Sequence, residues 1–440
     1  MVTANKVKST IGRHLLADGM DIVVDFTRSR GSWLVDARNG DRYLDCFSMF
    51  ASMAVGFNHD ALLARAEHFG KLAIQKPANS DCYSIAMAEF IETFSRVAIP
   101  DYLPHAFFIE GGALAVENAL KAAFDWKVKK NFANGSQTET GQRIIHFRQA
   151  FHGRSGYTLS LTNTADPRKT AYFPTFNWPR ITTPKLSFPL NAKRLERTKE
   201  LEARALDEIQ SHLQQDPTGI AAIIIEPIQG EGGDNHFRDE FFIELRRICD
   251  DHELLLIMDE VQTGVGLTGR FWAHQHFSAQ PDIITFGKKT QVCGILASKR
   301  IDEVPDNVFV ESSRINSTFG GNLIDMVRCD EILQIIERDQ LVENACYRGK
   351  ELLEGLKRLE ANYPHIINNS RGRGLMCAFD LEDGGKRNQF REKLLQERLL
   401  VIGCGDRSIR FRPHLIISAE EIRQVLHILE KAIKSIEGKS

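Results

Sequence analysis

No two of the 8 cysteines are spaced C-x-x-C; they lie scattered at 46, 82, 249, 293, 329, 346, 377 and 404. That scatter argues against a zinc ribbon or a disulfide framework and predicts a reducing, cytoplasmic setting. Charge of one sign is also missing. With 56 basic against 58 acidic residues and a net charge of -2, the chain lacks the basic excess of a nucleic-acid or anionic-membrane binder, so small-molecule partners are expected. Long apolar runs are absent as well: in "MVTANKVKSTIGRHLLADGMDIVVDF" charges interrupt every one, and neither a signal segment nor a membrane span can be drawn there. Repeats, low-complexity tracts and a Pro/Gly/Ser linker are not found. No metal centre is expected. His274 and His276 stand at i and i+2, which a helix separates, and no carboxylate or third histidine sits at a matching step.

What is present is length and rhythm. At 440 residues the chain can bury a large core and form at least two domains. From about 105 to 298, short apolar runs ("HAFFIE", "RIIHF", "YTLSL", "GIAAIIIE", "LLLIM", "DIITF", "GILAS") alternate with longer amphipathic stretches. The runs are continuous rather than alternating, as strands buried on both faces require, so a mostly parallel α/β sheet between helices is predicted. In the stretch after "HAFFIE", Leu114, Ala115, Leu120, Ala122, Ala123 and Phe124 are set among charges at 117, 121 and 125, the pattern of a helix packed on a sheet. Near the start, "WLVDARNGDRYLDCF" predicts a hairpin in which Asn39-Gly40 supplies the positive φ angles of a tight turn. Strands such as "GLMCAFDLE" and "IRFRPHLII" return among helices near the C-terminus. A smaller α+β domain built from both termini, 1–65 with 325–440, is expected to flank a large domain over 66–324.

Two traces of a nucleotide hydrolase fail together. A P-loop needs a glycine five positions before its Gly-Lys pair. Before Gly287 that position is Asp282, and before Gly438 in "EGKS" it is Ile433. A different site is legible instead. Asp259 ends one predicted strand and Lys288 follows the next, 29 residues on, so neighbouring parallel strands can present both at one sheet edge, where open α/β sheets bind ligands. An amine for a Schiff base and a carboxylate for a protonated pyridine nitrogen are what a pyridoxal phosphate site needs. "FFIEGGALAVENALK" adds a strand, then Gly111-Gly112-Ala113 opening a helix whose N–H groups can cradle a phosphate. "QAFHGRSG" adds Phe151, an apolar plate for a ring.

These stretches resemble the class III aminotransferases, pyridoxal phosphate enzymes of fold type I. The motifs run in order along nearly the whole chain: "GDRYLD", "GGALAVENALKAA", "AFHGRSG", "IIIEPIQGEGG", "LLIMDEVQTGVGLTG", "PDIITFGKK", "NSTFGGN" and "IRFRPHL". The resemblance implies that Lys288 is the Schiff-base residue and Lys289 a bystander, and that Asp259 pairs with the ring nitrogen. It likewise implies that Gln262 bonds the ring phenolate, Phe151 stacks on the ring, and Gly112 and Ala113 hold the phosphate of pyridoxal 5'-phosphate. Thr318 matches the threonine that reaches the phosphate of the neighbouring subunit, so a homodimer is implied too. Two departures stand out. The helix-opening motif has no hydroxyl near Gly112 and carries Leu114 where an acid is usual, which shifts phosphate binding toward the backbone; and "KTQVCG" follows the lysine position where glycines are usual.

Substrate choice has its own logic. The amino donor reacts at an amine remote from its α-carboxylate, whereas an α-keto acid carries a carboxylate beside the reacting carbon. The near carboxylate wants an arginine fork that can be masked. Resemblance assigns Arg410 as the fork and Glu231 as its mask, although the two also read as a plain ion pair. Arg154 is assigned to the distant carboxylate, although a loop arginine can serve only the backbone or a phosphate. Within the family, "AFHGRSGYTLSLTNT", "GEGGDNHFRDEFF" and "FGKKTQVCG" most resemble the branch that moves the ε-amino group of L-lysine to 2-oxoglutarate. The products implied are glutamate and 2-aminoadipate 6-semialdehyde, which cyclises to piperideine-6-carboxylate. The alternatives are another ω-aminotransferase, for ornithine, 4-aminobutyrate or a diamine, and a pyridoxal phosphate racemase or mutase on the same fold. Glu226 reads as support for the sheet edge, and His152 as either an orienting group or a cofactor contact.

Overall fold

The computed structural model describes residues 2–437, so Met1 and the C-terminal "EGKS" pair at Gly438 lie outside it. The first strands, β1 (Trp33–Val35) and β2 (Arg42–Asp45), pair antiparallel as the hairpin pattern predicts. Their connection is longer than a tight turn. It spans 36–41, only Gly40 has a positive φ (78°), and Asp36 organises it by accepting from the Arg38 N–H at 2.9 Å. An Asx-type loop has replaced the two-residue turn, so Asn39 needs no left-handed backbone.

Seven strands follow: β3 (His105–Ile109), β4 (Arg143–Phe147), β5 (Arg180–Ile181), β6 (Ile220–Ile225), β7 (Leu255–Asp259), β8 (Ile283–Phe286) and β9 (Cys293–Ala297). They form one sheet in the order β3-β9-β8-β7-β6-β4-β5. β4 to β8 run parallel with one another, and β9 is antiparallel to both its neighbours. The continuous apolar runs are explained by two cores. Ile223, Ile225, Leu256, Met258, Ile284 and Phe286 face one, while Ile224, Leu255, Ile257 and Ile283 face the other, as the two-residue period of a strand requires. The helix Gly112–Ala133 covers the second core with Val116, Ala119, Leu120, Ala123 and Trp126, all fully buried. Leu114, expected in that packed set, is 40% exposed and sits in the first turn of the helix. "YTLSL" is not a strand. Residues Thr158–Leu161 form a short buried helix whose first turn is fixed by the Ser155 N–H donating to Thr158 Oγ1 at 2.9 Å. A short apolar run does not distinguish the two cases.

The remaining strands are β10 (Asn368–Arg373), β11 (Met376–Asp380), β12 (Leu399–Leu400), β13 (Ile402–Cys404) and β14 (Ser408–Phe411). β10-β11-β14-β13 make an antiparallel sheet, and β12 pairs in parallel with β2, which joins the chain's early and late segments in one three-stranded sheet. An aromatic cluster steadies the strand end before Lys288: Phe286 lies 5.3 Å from Phe94 and 5.8 Å from Phe108, ring centre to ring centre. Removing one such fully buried ring typically costs about 3–5 kcal/mol. Among the described residues, no helix is long and apolar enough to cross a membrane.

Candidate active site

A cavity of about 320 Å³ opens at the carboxyl ends of β6, β7 and β8, lined by Gly112, Ala113, Phe151, His152, Arg154, Glu226, Glu231, Asp259, Val261, Gln262 and Lys288, among others. Its size suits a small cofactor with part of a substrate. Strand register builds the centre. Asp259 pairs with Thr285 across β7 and β8, and the Thr285 hydroxyl donates to Asp259 Oδ1 at 2.9 Å. The Val261 N–H donates to the same oxygen at 3.1 Å, and Oδ2 lies 2.8 Å from His152 Nδ1. The carboxylate is therefore buried but well supplied with donors. His152 also lines the cavity; its Nε2 is buried without a partner.

The two lysines part company here. Lys288 lines the cavity, has a left-handed backbone (φ 55°), and its side chain makes no hydrogen bond or ion pair among the described residues, although its carbonyl accepts from Gln291 Nε2 at 3.1 Å. Such strain in a residue other than glycine costs about 1–3 kcal/mol and persists only where the surroundings impose it. Burial, then the Arg410 guanidinium, lowers its pKa to about 8 against the opposing pull of Asp259 and Glu226. Lys289 does not line the cavity. It is 2% exposed, donates to the Gln262 carbonyl at 3.2 Å, and is held by burial well below the usual lysine value.

At the helix end, Gly111 is the N-cap with φ 96° and no side chain caps the first turn, so its N–H groups stay available to an anion. A Cβ on Gly112 would lie 3.0 Å from Val261 Cγ1, crowding the cavity wall. Gln262 is oriented by cations: its Oε1 accepts from Arg410 Nη1 at 3.3 Å and from Arg412 Nη2 at 3.0 Å, and Arg412 is itself paired with the buried Asp234. That leaves the Gln262 Nε2 donor without a hydrogen bond among the described residues. Glu226 ties two loops together, accepting from the Phe151 N–H at 3.0 Å and the Gly230 N–H at 2.9 Å, and burial pushes its pKa up to about 7.

Toward the mouth, Arg154 is exposed and has no hydrogen bond or ion pair among the described residues. Arg410 is 2% exposed and lies behind the wall, covered by Glu231, whose Oε2 accepts from its Nη2 at 3.0 Å. Thr318 is exposed and does not line this chain's cavity; its carbonyl accepts from Ser80 Oγ at 3.3 Å. Sequence reasoning missed Arg412, although its i+2 spacing from Arg410 at a strand end put both on one face. It also missed Asp234, Thr285 and Lys169, the second partner of Glu231 at 2.6 Å. No local signal marks a partner that far along the chain.

An amine, a hydrogen-bonded carboxylate, a free amide donor and an uncapped helix end, converging where parallel strands finish, fit a pyridoxal phosphate enzyme of the α/β kind. Comparison with known proteins narrows the class: the family described as Aminotransferase class-III matches residues 16–433, and the chain belongs to it. It is 51% identical over 434 residues to the L-lysine-epsilon aminotransferase of Mycobacterium tuberculosis, covering 98% of this chain and 96% of that one. With the enzyme of the same name from Amycolatopsis lactamdurans it shares 47% identity over 436 residues, again 98% and 96% of the two chains. The solved lysine aminotransferase from M. tuberculosis in the internal aldimine form matches with a TM-score of 0.96 at 50% identity, covering 99% of this chain and 100% of that one. The chain is thus a transferase of fold type I that uses pyridoxal 5'-phosphate and acts on small molecules.

Proposed function

We propose that the protein moves the ε-amino group of L-lysine to 2-oxoglutarate, giving glutamate and 2-aminoadipate 6-semialdehyde, which closes to piperideine-6-carboxylate. The observation that carries this reading is the pairing of a free Arg154 on the cavity wall with an Arg410 masked by Glu231. One fork is open to a distant carboxylate while the near one is covered. The identity to the lysine enzymes named above supports the same donor and disfavours ornithine, 4-aminobutyrate or a diamine. Membership of an aminotransferase family disfavours a racemase or mutase.

When bound, pyridoxal 5'-phosphate supplies a carbonyl that captures amines and a ring that accepts the electron pair left by a departing proton. Lys288 is the amine that holds it and then carries that proton, a role suited to a pKa near neutrality. Asp259 would pair with the ring nitrogen. Gln262 would offer its Nε2 to the ring oxygen, Phe151 would supply an apolar plate for the ring, and Gly112 and Ala113 would offer backbone N–H groups to the phosphate. The exposure of Thr318 suits a residue that serves a neighbouring subunit, so the working unit is read as a homodimer. The division into 1–65 with 325–440 and 66–324 is supported by the β2 to β12 pairing, and a cytoplasmic location by the unpaired cysteines. The test is a panel: the purified holoprotein is given lysine, ornithine, 4-aminobutyrate or putrescine with 2-oxoglutarate, and glutamate is measured. Lysine should lead in kcat/KM by at least about tenfold; a lead by any other donor overturns the assignment.

A further inference from the structure

Glu231 is shared between two cations of different character. Arg410, one partner, is 2% exposed and anchored on β14; Lys169, the other, has a side chain 29% exposed and ends a short helical turn, Pro167–Lys169, in a surface segment. Each carboxylate oxygen serves one of them: Oε2 meets Arg410 at 3.0 Å and Oε1 meets Lys169 at 2.6 Å. An α-keto acid that takes Arg410 brings its own negative charge to the spot, so Glu231 has to leave. Leaving with no cation to receive it would strand a partly desolvated carboxylate, which is costly. Leaving while still bonded to Lys169 needs only rotation of its own side chain.

We propose that Lys169 is a positioning residue that holds Glu231 during unmasking of Arg410, and thereby sets the affinity of the site for α-keto dicarboxylates without taking part in lysine binding. This rests on the reading of Glu231 as the mask of Arg410. Lys169 competes with Arg410 for the same carboxylate and shifts the balance toward the open fork. Without it, Glu231 has Arg410 as its one direct partner and stays on it.

The test uses the holoprotein and two readouts: the calorimetric Kd of glutarate, a dicarboxylate without the reactive carbonyl, and the KM values of both substrates. Lys169→Met should weaken glutarate and raise KM for 2-oxoglutarate by about three- to fivefold, the scale of a partly exposed ion pair, with KM for lysine unchanged. Lys169→Arg should restore both. In a Glu231→Ala background, Lys169→Met should change nothing. A loss that persists in that background means Lys169 attracts the anion directly and overturns the proposal, as does an equal rise in both KM values. If Glu231→Ala by itself leaves glutarate affinity unaltered, the mask reading fails and the inference falls with it.

Discussion

At the inner end of the cavity Asp259 receives donors from Thr285, Val261 and His152, each set by strand register or by a short turn. At the mouth, Glu231 divides itself between Arg410 and Lys169, and Arg154 has no hydrogen bond or ion pair among the described residues. The inner carboxylate is fixed by Thr285 on the neighbouring strand β8 and by Val261 and His152 on the short segments that follow β7 and β4. The outer one is held by side chains on separate segments, one of them at the surface. A site that must accept two unlike substrates on one cofactor gains from that division: chemistry needs geometry held to within a fraction of an ångström, while recognition has to be rearranged in each cycle.

The comparison breaks most readily at Lys288. If the inner end is the fixed chemical centre, Lys288→Ala should remove the yellow colour of the bound cofactor and lower turnover on the order of 10³-fold or more. Lys289→Ala should keep the colour, because its amine is turned to the Gln262 carbonyl and away from the cavity. Absorbance spectra of the two purified variants decide this, and the opposite result would move the whole register by one residue.

The meeting of Asp259 with the lysine pair was legible in the sequence because strand ends are, whereas the choice between Lys288 and Lys289 rested on the family resemblance. Asp259 and Lys288 sit where apolar runs stop, and neighbouring parallel strands bring such ends together. The glycines at 111 and 112 were legible for a similar reason, as the joint between a strand and a helix. "YTLSL" misled because four buried residues satisfy a strand and a helical turn equally. The Asn39-Gly40 turn misled because the Asp36 side chain made a wider loop as well satisfied as a tight one. The mouth was the least readable. Lys169 meets Glu231 across 62 residues of chain through side chains alone, and neither periodicity nor turn chemistry encodes such a contact. Thr318 is a different case: within one chain it is exposed and does not line the cavity that holds Lys288.

The mouth can be tested with two arginines of contrasting setting. Arg410→Ala removes a buried fork, and with charge-assisted bonds worth about 1.5–3 kcal/mol, KM for 2-oxoglutarate should rise roughly 10- to 100-fold. Arg154→Ala removes an exposed group, so the expected rise is smaller, about tenfold, and falls on lysine rather than on 2-oxoglutarate. Initial rates with each substrate varied in turn check both. A crossed pattern sharpens the division of labour between the two forks; equal effects on both substrates for either variant would dissolve it.

The smallest expected effect concerns the inner end without its cofactor. An amine attacks a carbonyl only as the free base, so the rate at which cofactor-free protein takes up pyridoxal 5'-phosphate should follow deprotonation of Lys288. A lysine in water titrates near 10.4, and between pH 7 and 9 its free fraction stays small. With the pKa lowered to about 8 by burial and Arg410, about a tenth is free at pH 7 and half at pH 8, so uptake should quicken about fivefold over that step and level off above pH 9. Asp259 and Glu226 pull the other way. Glu226→Gln should therefore move the midpoint down, since it deletes one of the two charges that favour the ammonium, whereas Lys169→Met at the mouth should leave it in place. A midpoint that answered equally to both changes would mean that the inner end and the mouth are electrostatically one site.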